Sequence, residues 1–291
     1  MIETNDNSYP GETAVLTTAD FEKAFGDQLS DRVSEWVNQN PFRYRQFTEA
    51  ERDSWLFRVF KTINDYNVIP AGEHRLNQWE LGWQENLTDF SKTKSIASLI
   101  PHYFGKYAAV RWRQNLIQPL SPNFEYNTLA LIESWLFDKY LKEASAIYEF
   151  GCGTAHNLLR ARLANNQATL HGCDWTQTSE KIISAIKAAG IEKNIVGHPF
   201  NFFDPNLNLK LDGGSAVYTV AALEQAGPNF EKFISYLLNN YPQICIHIEP
   251  IAELLDENNF FDYLSIEYFK KRNYLSGFLG YLKKLEAAGQ I

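Results

Sequence analysis

The chain has 291 residues, 45% hydrophobic and 21% charged, with a formal net charge of −8 and a pI near 5.3. This composition is typical of a globular protein, and the length suffices for one large domain or two moderate ones. Because no run of Lys or Arg forms a basic face for phosphates, the sequence disfavours nucleic acid as a partner. The polar, acidic N-terminus and the lack of a long apolar run predict a cytoplasmic protein outside the membrane.

Helical spacing of apolar residues dominates the first 120 residues. Residues 1–16 are predicted to be a polar tail, and Thr48-x-x-Glu51 is a capping box that predicts a helix start. The predicted helices are Thr17–Asn40, a second one from Thr48 to about Asn64, and a mostly helical stretch Lys94–Gln118. The sequence therefore predicts an all-helical, aromatic-rich module over residues 1–120 that serves as a substrate-recognition module or lid.

From residue 121 onward, strands alternate with helices. A helix is predicted over Phe124–Leu141, and further helices over Thr154–Asn165, Ser179–Ala189, Phe230–Asn239 and Asn258–Ala288. The predicted strands are Ala146–Phe150, Ala168–Cys173, Asn194–Gly197, Ser215–Thr219 and Gln243–Ile248. Strands separated by helices of this length imply a parallel sheet with right-handed crossovers. The fold class predicted for residues 121–291 is thus α/β, a doubly wound and mostly parallel sheet of the Rossmann-like kind.

The stretch AIYEFGCGTAHNLL (146–159) combines a buried strand, a glycine turn and a helix start. Gly151 and Gly153 allow a sharp turn and the close approach of a ligand to the backbone. A dinucleotide site needs G-x-G-x-x-G, but His156 stands at the last position. Glu149, just before the turn, suits a ligand with positive charge better than it suits a pyrophosphate.

This stretch resembles the first motif of the class I S-adenosylmethionine (SAM) dependent methyltransferases, an acid at a strand end followed by G-x-G. The resemblance covers about Phe124–Glu249, and Ala155 stands where the family often has a third glycine. It implies SAM as cofactor and S-adenosylhomocysteine (SAH) as product. The family usually adds two strands for which this sequence lacks room, so the sheet edge is expected to be incomplete, or capped by the N-terminal helices or another subunit. A homodimer stays open.

The resemblance also implies which side chains meet the cofactor. Glu149 is expected near the methionine end of SAM, and Asp174, which follows the second strand, is expected to accept the ribose hydroxyls, although an acid there is also a common helix cap. The predicted cofactor-binding residues are Glu149, Gly151, Gly153, Asp174, Trp175, Asn201, Phe202 and Thr219.

Two side chains are candidates for catalysis. Glu224 follows the fourth strand and is expected to orient or deprotonate the acceptor, or only to start the next helix. His156 is expected to contact the cofactor carboxylate or the substrate, or to be an ordinary exposed helix residue. The acceptor is expected to bind to aromatic side chains, which would form apolar walls, and to basic side chains, which would hold a carboxylate or phosphate. The alternative is that these side chains only pack helices together. The predicted substrate-binding residues are Trp83, Tyr107, Arg111, Arg272 and Tyr274.

The sequence shows no spacing of metal ligands, and Cys152, Cys173 and Cys245 are predicted to be reduced, buried thiols. The function predicted from the sequence is a SAM-dependent methyltransferase acting on a small polar or anionic molecule at oxygen or nitrogen. The alternative is a non-catalytic SAM- or nucleotide-binding protein with a regulatory or assembly role. A dinucleotide oxidoreductase is disfavoured by Glu149 and His156.

Overall fold

The structure is a computed structural model that describes residues 11–291, so most of the predicted N-terminal tail lies outside the described residues. The strands are β1 (Thr13–Leu16), β2 (Phe42–Gln46), β3 (Val110–Trp112), β4 (Asn115–Pro119), β5 (Ala146–Phe150), β6 (Thr169–Asp174), β7 (Ile195–Pro199), β8 (Ser215–Val220) and β9 (Ile244–Ile248). The helices are α1 (Thr18–Phe25), α2 (Asp31–Gln39), α3 (Glu49–Asn64), α4 (Leu76–Thr93), α5 (Phe124–Tyr140), α6 (His156–Ala164), α7 (Gln177–Ala188), α8 (Glu231–Asn240), α9 (Phe260–Arg272) and α10 (Phe278–Ala287). Within residues 11–291, no helix combines the length and the apolar composition needed to cross a membrane.

The central sheet has five parallel strands, as the sequence predicted, and the structure gives their order as β7-β6-β5-β8-β9. Its central strands β6, β5 and β8 are buried on both faces, which is characteristic of parallel sheets covered by helices, whereas the edge strands β7 and β9 are partly exposed. From β5 the chain winds towards β7 on one side and towards β9 on the other. The neighbouring strands β5 and β8 therefore mark the topological switch point, where a ligand is expected beyond the carboxyl ends.

Alternation along β5 divides the core into two layers. Ile147 packs in the layer that also holds Phe137 of α5, Leu158 of α6 and Ile183 of α7. Ala146, Tyr148 and Phe150 point to the opposite face, where the buried side chains come largely from α8 and α10. Because side chains alternate with period two, Glu149 shares the face of Ile147 and lies beneath α5 and α6 rather than at the sheet's open edge.

The prediction of an all-helical module over residues 1–120 is wrong, because four strands form an antiparallel sheet in the order β1-β2-β4-β3. Phe42 and Tyr44 of β2, together with Ile117 of β4, are buried against Phe124 and Leu131 of α5. This sheet therefore packs on the outer side of the first helix of the α/β unit. Its strands are short. The partners β1, β2 and β4 lie far apart in the chain, so the local sequence carried little sign of their pairing, whereas β3 and β4 form a hairpin with Trp112 opposite Asn115.

Helix boundaries also differ from the sequence prediction at three places. The helix predicted over Thr17–Asn40 is split at Gly26, whose φ of 65° ends α1. The mostly helical stretch predicted over Lys94–Gln118 contains β3 and most of β4. The region Asn258–Ala288 is divided at Asn273, which has a φ of 52°. In contrast, the Thr48/Glu51 capping box does open α3.

Candidate active site

The glycine loop between β5 and α6 forms the floor of a cleft at the switch point. Gly151 and Gly153 have φ values of 78° and 51°, which non-glycine residues rarely adopt. A Cβ placed on Gly151 would lie 2.3 Å from Cβ of Ala222, in the loop that follows β8. The two loops therefore touch, and glycine is required for their close approach. The cleft contains about 700 Å³ of space between atoms, its open mouth included.

The loop's own amide groups are bonded within the protein. The N–H groups of Gly151 and Cys152 donate to the carbonyl oxygen of Cys173, at 2.7 and 3.2 Å. Gly153 N–H donates to Oδ2 of Asp174 at 2.9 Å, and Ala155 N–H donates to the carbonyl of Cys152 at 2.8 Å. A dinucleotide pyrophosphate depends on free N–H groups in this loop. These four amides are therefore not free to bind a pyrophosphate.

Asp174 lies at the end of β6 and lines the cleft. Its Oδ1 accepts hydrogen bonds from the amide and the hydroxyl of Thr176, at 2.8 and 2.6 Å, while Oδ2 accepts a bond from the amide of Gly153. Burial raises the pKa of this carboxyl, although these donors oppose the shift. Since a carboxylate oxygen can accept two bonds, Oδ2 retains a lone pair for a hydroxyl of a ligand.

His156 lines the cleft and has a buried acceptor nitrogen. Thr154 Oγ1 donates its hydrogen to the carbonyl of Leu99 at 2.6 Å and lies 2.9 Å from His156 Nδ1. Because a hydroxyl has a single hydrogen, Nδ1 must be the donor in the second contact, and Nε2 is therefore an acceptor. Nε2 is buried without a hydrogen-bond partner among residues 11–291, and burial lowers the ring's pKa to about 3.

The predicted contact of His156 with a cofactor carboxylate does not fit this geometry, since a neutral ring with an acceptor nitrogen repels an anion. Such a nitrogen fits an ammonium or hydroxyl group instead. The neighbouring Asn157 also lines the cleft, and its Oδ1 is a second buried acceptor without a partner in the described chain. The prediction of an exposed helix residue is also wrong, because only 7% of His156 is exposed.

Glu149 lies one layer below the cleft and does not line it. Its Oε1 accepts from Asn157 Nδ2 at 2.8 Å, and its Oε2 accepts from Tyr218 OH at 3.2 Å. Burial raises the pKa of this carboxyl well above its usual range. The arrangement turns the amide nitrogen of Asn157 towards Glu149. Asn157 Oδ1 is thereby the atom left without a partner, so Glu149 orients a side chain of the cleft.

Other predicted cofactor residues divide into two groups. Trp175 and Phe202 line the cleft, and Trp175 stacks with Phe203 at 6.0 Å between ring centroids. Thr219 is fully buried, with Oγ1 3.0 Å from His247 Nδ1. Asn201 accepts from the amide of Phe203 at 2.9 Å and holds its own turn. Neither Thr219 nor Asn201 lines the cleft, and their predicted contact with the cofactor stays a prediction.

Aromatic side chains of α4 and the following loop form the roof. Trp83, a predicted substrate residue, stacks with Trp79 at 5.4 Å and lies at 6.5 Å from the ring of Tyr103. A Cβ on Gly153 would lie 2.8 Å from Cζ2 of Trp83, so this indole rests on the glycine loop. Helix α4 is held there by Glu80, which accepts from the amide of Thr178 at the start of α7, at 3.1 Å.

Glu224 lies in the short helical turn after β8 and borders a second pocket, which adjoins the cleft. Burial, with the charge of Glu249 next in importance, raises the pKa of Glu224 to about 8. Arg272 and Tyr274, two predicted substrate residues, line the same pocket. The structure therefore brings Trp83, Arg272 and Tyr274 together with Glu224.

Tyr107 and Arg111 lie elsewhere and are not brought to the cleft. They line a separate pocket between α3, β3 and α9, with about 1640 Å³ of space including its mouth. Arg111 forms a salt bridge with Asp262 and donates to Ser265 Oγ at 2.5 Å, so its charge is already neutralised. Tyr107 and Arg111 therefore do not reach the cleft, and their predicted role in substrate binding stays a prediction.

Some lining residues were not predicted, and Asn157 is the clearest of them. A signal existed, since an amide in the first turn after a glycine loop lies at the carboxyl edge of the sheet. In residues 11–291 no group of three or more His, Cys, Asp or Glu side chains is arranged to hold a metal. Cys152 and Cys173 are buried free thiols as predicted, whereas Cys245 is exposed on the edge strand β9.

Comparison with protein-family models finds no match, and comparison with curated protein sequences finds none. Among solved structures, precorrin-6y C5,15-methyltransferase from Geobacter metallireducens GS-15 is 14% identical over 41% of this chain and 57% of its own, with a TM-score of 0.30. SpnF, a cyclase, is 15% identical over 60% of this chain and 59% of its own, with a TM-score of 0.37. Magnesium protoporphyrin IX methyltransferase from Synechocystis PCC 6803, solved with bound SAH, is 17% identical over 40% of this chain and 51% of its own, with a TM-score of 0.31. Less than two thirds of each solved chain is matched, and at these TM-scores the function must be inferred from this chain's own residues.

Proposed function

We propose that this chain is a SAM-dependent methyltransferase that methylates a small polar or anionic molecule at an oxygen or nitrogen atom. The observation that carries the proposal is the polarity of the cleft. Three of its polar side chains offer acceptors, namely Asp174 Oδ2, His156 Nε2 and Asn157 Oδ1, and the indole N–H of Trp79 in the roof is a donor without a described partner. The amides of the glycine loop are occupied, as described above. A cleft of this kind suits a ligand with hydroxyl and ammonium donors and a positive charge.

The residues present fit SAM at three places. Asp174 can accept ribose hydroxyls through Oδ2, and the glycine loop leaves room that a Cβ would fill. Trp175 and Phe202 offer flat apolar surfaces for a base. His156 Nε2 and Asn157 Oδ1 can accept from an ammonium group. When bound, SAM supplies an electrophilic methyl group.

The chain's own residues would position the acceptor and manage its proton. Trp79, Trp83 and Tyr103 line both the cleft and the adjoining pocket, so they can hold an acceptor next to the cofactor. Positioning of this kind can account for much of a methyl transfer rate. Glu224 is the proposed proton acceptor in that pocket, since its pKa of about 8 lies near working pH, where general bases are efficient.

Ligand binding tests the cofactor assignment directly. We expect calorimetry to detect SAH binding and to find NAD binding much weaker. Asp174→Ala should abolish SAH binding, because it removes an acceptor and leaves the amides of Gly153 and Thr176 without a partner. Asp204→Ala is the matched control, since it removes an exposed carboxylate beyond β7. Preference for NAD over SAH would overturn the proposal.

Turnover tests the role of Glu224 separately. SAH production should be measured with a panel of small carboxylic acids, phosphates and amines, and the Glu224→Gln variant should lower turnover while SAH affinity stays near wild type. Glu231→Gln, at an exposed position in α8, is the control. Unchanged turnover in Glu224→Gln would remove the proposed base. SAH binding with no methylation of any acceptor would favour a non-catalytic SAM-binding protein.

A further inference from the structure

The pocket next to the cleft contains about 960 Å³ of space between atoms, its mouth included. It shares part of its wall with the cleft, so that a molecule in one lies next to a molecule in the other. The shared residues are Trp79, Trp83, Tyr103, Ala221 and Gln225. The remaining lining includes two arginines, Arg75 and Arg272.

Backbone contacts hold these arginines at one pocket although they are almost 200 positions apart in the chain. Ala71 N–H donates to the carbonyl oxygen of Arg272 at 2.6 Å. Gly227, with a φ of 60°, packs so closely on this junction that a Cβ there would lie 2.7 Å from the carbonyl oxygen of Asn273. Three segments are therefore joined at the pocket, and the side chains they carry are fixed relative to one another.

Arg75 is buried, with 7% of its surface exposed, and it forms no salt bridge with a described residue. Its Nη1 donates to Gln225 Oε1 at 2.8 Å and its Nε donates to Gln78 Oε1 at 3.1 Å. These neutral amides orient the guanidinium without neutralising it. A buried charge held in this way is costly unless a counter-ion joins it.

Arg272 is the second unneutralised charge. Its Nε is buried without a hydrogen-bond partner in the described chain, and its guanidinium lies 5.2 Å from the ring centroid of Tyr274. Burial, followed by the charge of Arg272, lowers the pKa of Arg75, so the two guanidiniums repel each other across the pocket. The nearby carboxyl of Glu224 has its pKa raised to about 8 and is mostly neutral at pH 7. The lining also holds Lys106 and Glu85, which lies 3.3 Å from His102, so three cationic side chains face two carboxyl groups and the pocket is positive overall.

We propose that Arg75 and Arg272 form the acceptor-binding site, and that the acceptor carries an oxyanion, a carboxylate or a phosphate, held between the two guanidiniums. The proposal rests on the proposed methyltransferase function. Guanidiniums bind carboxylates and phosphates through paired, charge-assisted hydrogen bonds. An acceptor anchored there lies against Trp79 and Tyr274, and its other end can reach the shared wall of the cleft.

Calorimetry with three aromatic probes tests this site without any turnover. Benzoate and phenyl phosphate represent the two sources of an oxyanion, and benzamide is the neutral match of benzoate. We expect binding of at least one of the two anions, in the presence of SAH, with at least tenfold weaker binding of benzamide. The stronger of the two anions identifies the acceptor's anionic group as carboxylate or phosphate.

Variants then locate the bound anion. Arg75→Gln and Arg272→Gln should each weaken the preferred anion at least tenfold, because each removes a charged donor. Arg58→Gln removes an exposed arginine that lines the other pocket and should leave the affinity unchanged. If Arg75→Gln does not fold, because Arg75 is buried, the site is tested with Arg272→Gln, at a less buried position, and with Arg75→Lys, which keeps the charge. Arg75→Lys should weaken binding less than a loss of charge would.

Two outcomes overturn the inference. If SAH binds but neither anion does, or if both anions bind equally well to wild type and to Arg272→Gln, the oxyanion site is refuted and the proposed methyltransferase function stands. If an anion binds at the arginines but SAH does not bind, the acceptor role is refuted together with the proposed function.

Discussion

Replacing Gly151 by alanine tests whether the glycine loop is as tightly packed as its geometry implies. The φ of 78° costs an alanine about 1–2 kcal/mol of folding free energy. The added Cβ also lies 2.3 Å from Cβ of Ala222, and both atoms are fixed to backbone, so overpacking adds about 1–3 kcal/mol. Gly151→Ala is therefore expected to lose about 2–5 kcal/mol in total.

Gly190→Ala separates the two contributions. Gly190 has a φ of 72°, but a Cβ there meets no atom within 4 Å. This variant should lose only the backbone part, about 1–2 kcal/mol. Changes in unfolded-chain entropy are the same for both glycine-to-alanine substitutions and cancel in the comparison. Urea unfolding of the two variants and of wild type measures the difference.

Ligand binding completes this test. In Gly151→Ala the loop must move away from Ala222 to make room for the alanine side chain. The affinity for SAH, measured by calorimetry, should therefore fall at least tenfold, or by about 1.4 kcal/mol. Gly190→Ala should bind SAH like wild type. Equal stability losses in the two variants would show that no close contact exists at Gly151. Wild-type SAH affinity in Gly151→Ala would show that the loop is not part of the cofactor site.

Three further predictions concern acidity and the roof helix. The pKa of His156 is lowered to about 3, so only the unfolded chain gains a proton between about pH 6.5 and 3, and stability contributed by this group falls as pH falls through that window. Between pH 7 and pH 5 the free energy of unfolding of His156→Asn, measured with urea, should therefore fall by about 2 kcal/mol less than that of wild type. Parallel pH profiles of the two proteins would contradict this. Glu80→Ala should cost about 1 kcal/mol through the lost cap on the amide of Thr178, and a variant as stable as wild type would show that the contact contributes nothing. Ionisation of Glu224 near pH 8, next to the two guanidiniums and to Glu249, should weaken the preferred anionic probe above that pH, and the weakening should be absent in Glu224→Gln.

The sequence by itself determined the α/β unit and the floor of the cleft. Strand β5 was predicted with its exact bounds, since its apolar run ends abruptly at the glycine turn. Asp174 was placed correctly at the cleft because it is the last residue of β6, at the carboxyl edge of the sheet. Hydrophobic periodicity and turn residues depend only on neighbouring positions in the chain, so the sequence reveals them directly. Parallel strands then bring their carboxyl ends to one edge of the sheet.

Only the tertiary structure decided the roof of the cleft and the pocket beside it. The sheet β1-β2-β4-β3 depends on pairing between distant segments, as in Tyr44 opposite Pro119, and local propensity does not reveal such pairing. Trp83 and Arg272 are brought to the same pocket, whereas Arg111 lies in another and pairs with Asp262. Which charges end up buried without a counter-ion depends on packing between segments far apart in the chain. The sequence could name the arginines, but only the folded chain selects the pair left free to bind an anion.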